Sequence, residues 1–71
     1  MNRLNPEKLL MSKWTAVQPK QRERHFIVNR LICTEDETII GCVLEAVINK
    51  NNYETDWREL QDSTRWLMGW K

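Results

Sequence analysis

The stretch Ile39-Ile-Gly-Cys-Val-Leu-Glu-Ala-Val-Ile48 decides how this chain folds. It is ten nearly continuous apolar residues, broken only by Gly41 and Glu45. Length alone does not separate a buried helix from a buried strand in such a run. Five of the ten are β-branched, and such side chains are stiff in a helix but pack well on a pleated surface. Turn-forming residues flank both ends, the acidic Thr34–Thr38 before and Asn49–Asn52 after. The run therefore reads as a strand, with Gly41 as a bend or bulge point.

Upstream, His25–Ile32 is rich in β-branched and aromatic residues and reads as the strand preceding the acidic turn. With Asp36-Glu37 at the centre of a two-residue hairpin, Cys33 opposes Ile40 and Cys42 opposes Leu31. The cysteines then share a face diagonally, too far apart for an unstrained disulfide, and both read as small apolar fillers. Gln18–His25 is polar and basic, a loop or ragged strand edge, and Lys13–Val17 alternates as a short strand that Pro19 stops. Asn5-Pro6-Glu7 is a helix-start signal good for a turn or two.

Downstream, Asn49–Asn52 suits a hairpin turn. Tyr53–Arg58 alternates, with Tyr53, Thr55 and Trp57 on one face and Glu54, Asp56 and Arg58 on the other. Asp62 or Ser63 can cap a helical turn through Leu67 or Met68 that Gly69 ends, and Trp70-Lys71 finishes as a last short pairing. The sum is a mainly β domain with minor α, spanning residues 1–71. It is a small curled antiparallel sheet or an SH3-like or Tudor-like barrel of four or five strands, with a short N-terminal helix and a C-terminal helical turn.

A chain of 71 residues hides only about 60–65% of its unfolded surface and needs help to be stable. Two cysteines make no disulfide framework, and with the lone His25 they show no metal-ligand spacing, so neither a metal nor a cofactor is expected. Four tryptophans supply the missing bulk, at about 200 Å² of buried surface each. Trp57 and Trp66 are expected in the core and Trp70 at least partly outside it. No secretory or membrane-spanning apolar run is present, which sets the expectation of a soluble cytoplasmic protein.

Five blocks carry a resemblance: "NPEKLLMSKWTAV" from Asn5, "HFIV" from His25, "LEAVI" from Leu44, "DWREL" from Asp56 and "WLMGWK" from Trp66. Together they resemble the short tryptophan-rich family of bacterial proteins, about seventy residues long and of unknown function. The resemblance implies a bacterial, cytoplasmic, single-domain protein and carries over no functional residue.

The net charge of +1 hides a split. Residues 1–30 hold seven Lys/Arg against two Glu, and residues 31–71 hold four against eight Asp/Glu. One histidine without an orienting partner and no glycine-rich phosphate loop argue against an enzyme. The basic segment 18–25 argues for binding. Lys13, Lys20, Arg22 and Arg24 beside Trp14 combine cations with an aromatic plane, a pattern suited to the phosphates and bases of nucleic acid. The alternative is a protein–protein adaptor whose groove is built from Trp57, Tyr53 and Arg58, and a third reading is a homodimer that covers surplus aromatic surface.

Overall fold

The computed structural model describes residues 1–71. Five strands, β1 (Lys13–Lys20), β2 (Glu23–Cys33), β3 (Ile39–Ala46), β4 (Asn52–Thr55) and β5 (Trp66–Met68), form one antiparallel sheet in the order β4-β3-β2-β1-β5. Neighbours in sequence are neighbours in space until β5, which crosses to the far edge beside β1. The sheet is curled but not closed, so the open-sheet form holds and the barrel form does not. The N-terminal helix is a single 3-10 turn, Pro6–Lys8, in which the Asn5 side chain accepts from the Glu7 amide at 3.1 Å.

The β3 run is a strand, as its β-branched content requires, but it ends at Ala46. Val47 and Ile48 stand exposed in the following turn, closed by Lys50 N–H to Ala46 O (2.8 Å) and Ala46 N–H to Asn51 O (2.8 Å). Gly41 is required by a close approach: a Cβ there would lie 2.7 Å from the Thr55 carbonyl oxygen on β4. Cys42 opposes Leu31 as the hairpin register requires. A bulge between Ile32 and Cys33 sets Cys33 against Ile39 instead of Ile40 and leaves it exposed, so only Cys42 fills the core.

The segment 18–25 is not a loop. β1 runs on through Pro19, and β2 starts at Glu23, joined by the two residues Gln21 and Arg22. Both have positive φ, 54° and 65°, as a tight hairpin turn of the primed kind needs. Pro19 is tolerated because the β1–β2 register slips between Thr15 and Lys20, so no β2 carbonyl waits for the amide hydrogen that proline lacks.

The C-terminal helical turn forms earlier than its local signals suggest. β4 ends at Thr55, Asp56 caps the Arg58 amide at 2.9 Å, and a 3-10 turn spans Trp57–Gln61. Asp62 accepts from the Thr64 amide at 2.9 Å, making a bend, and Trp66–Met68 is strand. The last residues pair with no edge. Gly69, at φ +81°, turns them back across the outer face of the sheet. There the Gly69 amide donates to Lys13 O (2.8 Å), the Trp70 indole to Phe26 O (3.0 Å) and the Lys71 amide to the Thr15 hydroxyl (2.9 Å).

The core lies on the concave face: Leu9, Trp14, Phe26, Val28, Cys42, Leu44, Ala46 and Leu60. Leu9 and Leu60 come from the 3-10 segments, which act as lids, and Trp57 and Trp66 pack against the cluster. Because the Gly41 contact is with backbone, it cannot be relieved by a side-chain rotation. Gly41→Ala should cost about 1–3 kcal/mol, read as a lowered urea midpoint at unchanged slope.

Candidate functional site

Because the sheet does not close, a gap remains between its two ends. It is a groove of about 670 Å³, bordered by Tyr53, Glu54 and Thr55 of β4 and by Trp66 of β5. Phe26 and Leu44 form its floor, and Ala16, Gln18 and Lys20 of the slipped part of β1 form a wall. The Phe26 ring meets Trp66 edge-on (centroids 5.2 Å apart, 81°) and Tyr53 likewise (6.2 Å, 66°). Aromatic rings prefer this geometry.

Glu23, at the start of β2, also lines the groove and is almost wholly buried. The Tyr53 hydroxyl donates to its two carboxylate oxygens (2.6 and 2.8 Å), Asn49 Nδ2 at 2.8 Å and Asn51 Nδ2 at 3.1 Å. These bonds hold the Glu23 carboxyl below its ordinary value, Tyr53 first and Asn49 next, against an opposing push from desolvation. Tyr53 is raised in turn, chiefly by the same bond. The network ties β2 to the β3–β4 turn and points an acceptor at the groove.

A family model described as Tryptophan-rich protein (DUF2389) matches residues 12–71 and so includes every tryptophan of the chain. The chain belongs to this tryptophan-rich family. No curated protein and no solved structure matches it. Its tryptophans divide by role. Trp14 is 1% exposed, with its indole donating to Ser12 Oγ at 2.9 Å. Trp57 packs on the core and donates to Ile39 O at 3.2 Å, and Trp66 lines the groove. Trp70 is 44% exposed and lies between Lys13 Nζ (4.8 Å from its centroid) and the His25 ring (5.9 Å).

The residues singled out from sequence are not one site. Trp14 is core and offers no ring face to a ligand. Lys20, Arg22 and Arg24 gather at the β1–β2 tip, while Lys13 lies at the far end of β1 against Trp70. Tyr53 faces the groove, but Arg58 stacks over Trp57 (6.0 Å) and pairs with Asp56 (3.3 Å) elsewhere. The adaptor groove of Trp57, Tyr53 and Arg58 is therefore not assembled, because Trp57 belongs to the 3-10 turn and not to β4. No three His, Cys, Asp or Glu side chains converge as metal ligands. Glu23, Phe26 and Trp66 were missed. No local signal marks Glu23: Asn49 and Asn51 lie in the β3–β4 turn, and only its folding brings their amides and the Tyr53 hydroxyl onto that carboxylate.

Two outcomes follow from these environments. Burial, then Asp56, pushes the Cys42 thiol up to about 11, whereas Cys33 is exposed. Iodoacetamide on the native protein in mildly alkaline buffer should alkylate Cys33 alone, with Cys42 reacting only after unfolding. The depressed Glu23 carboxyl contributes stability that is complete above its ordinary value of 4.5 and is lost as pH falls through its folded value. Tyr53→Phe removes the largest cause of the depression. The fall in urea midpoint on acidification should therefore be shallower in that variant, and the Glu23 carboxyl should titrate higher by NMR.

Proposed function

We propose that this chain is a small non-enzymatic binding module of SH3-like plan, working in the bacterial cytoplasm, that contacts nucleic acid through the tip of its β1–β2 hairpin. The observation that carries the reading is the pairing of charges. Lys20, Arg22 and Arg24 are exposed at the tip and form no ion pair, whereas Arg58 and Arg65 are held by Asp56 and Glu59. The one acid of the tip, Glu23, is turned inward onto neutral donors. A projecting turn of unopposed cations can neutralise phosphates and release their counterions. Trp70 with Lys13 takes the aromatic part that Trp14 cannot, at the other end of β1.

The SH3-like plan is supported by the strand order and by the 3-10 turn that precedes the strand returning to β1. The non-enzymatic reading is supported by the commitment of the one imidazole. His25 Nε2 donates to a backbone oxygen of Lys71 at 2.9 Å, and its ring lies against Trp70.

Anisotropy of a labelled single-stranded oligonucleotide tests the reading. Affinity should fall with salt, and reversing Lys20, Arg22 and Arg24 to Glu should flatten the slope of log K against log salt by roughly two, at about 0.7 per phosphate contact. A native protein that leaves the anisotropy unchanged at low salt would sink it.

A further inference from the structure

The groove holds a group that the hairpin reading leaves unused. Glu23 is 6% exposed, and every donor to its carboxylate is neutral. Withdrawing an ionised carboxylate from water is costly, and buried charges are ordinarily paired with an opposite charge. Lys20 is the cross-strand partner of Glu23 yet makes no ion pair with it. The acceptor is also incompletely used. Oε2 takes the two amides and a share of the hydroxyl, while Oε1 takes only its share of the Tyr53 hydroxyl, leaving a lone pair free.

The surroundings favour a cation. Glu23, Glu54 and Glu59 line the groove against Lys20 and Arg65, and Arg65 is bound to Glu59 at 2.8 Å. Two carboxylates thus face one ammonium. Phe26, Tyr53 and Trp66 provide aromatic surface beside Glu23, and such rings attract a desolvated cation. The backbone favours an extended chain as its carrier. β4 and β5 are the two ends of the sheet and both border the groove. At β5, however, the Trp66 carbonyl accepts from Asn2 Nδ2 (2.8 Å) and the Trp66 amide donates to Asp62 O (2.9 Å), so the open edge is that of β4. An extended segment can pair with such an edge by backbone hydrogen bonds.

We propose that the groove receives an extended segment of a partner protein that lies along the β4 edge and places an arginine side chain against Glu23, between Phe26, Tyr53 and Trp66. A guanidinium fits this better than an ammonium. Its planar fork can donate to Oε1 while its face lies on a ring, and it is weakly hydrated and so easier to bury. This site adjoins the hairpin tip, since Lys20 and Gln21 also line it. Arg22 and Arg24 do not border the groove, and reversing those two alone should leave arginine binding intact.

The test is NMR of the native protein titrated with the blocked peptide acetyl-Ser-Thr-Arg-Thr-Ser-amide and with its citrulline analogue, which keeps the shape but loses the charge. The arginine peptide should give saturable shifts of the Trp66 indole N–H and of the Asn52 and Glu54 amides, which point away from β3. The citrulline peptide should bind at least tenfold more weakly. Glu23→Gln, which removes the charge and keeps one acceptor oxygen for the loop, should abolish the difference between the peptides without removing the folded spectrum. Equal binding of the two peptides, or no groove shifts with either, overturns the proposal on the native protein alone, whether or not the variant folds. N-methylguanidinium is the control. If it reproduces the Trp66 shift while the peptide never moves the β4 amides, the groove takes a small cation and the docked segment is refuted.

Discussion

β1 loses its ladder with β2 between Thr15 and Lys20, the stretch that holds Pro19, and much of the molecule follows from that slip. From Lys13 to Thr15 the strand is paired with β2, and at Trp14 and Thr15 it is paired with β5 as well. At Ala16 it keeps only β5, and it rejoins β2 at Lys20 for the tight turn. The slip releases the stretch between Thr15 and Lys20 from β2, and its Ala16, Gln18 and Lys20 give the groove its wall. It also leaves Arg22 and Arg24 of the cationic tip outside the groove that Glu54 and Glu59 line. One slip in register thus shapes both of the surfaces to which we assign binding.

A second constraint is the size of the core. Only 12 of 71 residues are buried, and no long helix is present to cover the concave face. The cover is made instead from large side chains and short turns: Trp14 within, Trp57 and Trp66 at its margin, and Leu9 and Leu60 as lids. Trp70 works from the opposite side, stapling the last residues over β1 and β2. The family's tryptophan content is in this chain first a means of closing a small open sheet. What remains accessible, the Trp66 side of the groove and the exposed part of Trp70, is a by-product of placing such large rings in so little volume.

The electrostatics follow the same economy. The sequence holds its cations early and its acids late, and the folded chain partly interleaves them. Glu45, Asp56 and Glu59 take up Lys50, Arg58 and Arg65 at the surface, pairs that lie within the acidic half. Arg22 and Arg24 lie far from the acidic turn at Thr34–Thr38 because the β1–β2 tip and that turn are at opposite ends of β2. Glu23 alone among the early acids is drawn inside, by three donors from the β3–β4 turn and strand.

What the sequence determined by itself is local in origin. The β-branched run at Ile39 made β3, the acidic and asparagine-rich segments made the turns on either side, and Asn5-Pro6-Glu7 started the first turn. The need for bulk in a short chain set Trp57 and Trp66 against the core, half-buried at its margin, and left Trp70 half outside. The errors share one cause. Gln18–His25 looked like a loop because its polarity was read without the slip that lets Pro19 sit in a strand. Trp66–Met68 looked helical because nothing nearby shows that β1 waits to pair with it. Trp14 looked available until residues far along the chain closed over it, and the donors that hold Glu23 inside come from 26 to 30 residues further along. Periodicity and turn chemistry act over a few residues, so a sequence displays them directly. Strand order, the open edges and the burial of a carboxylate are set by contacts between residues tens of positions apart, and only the tertiary structure decides them.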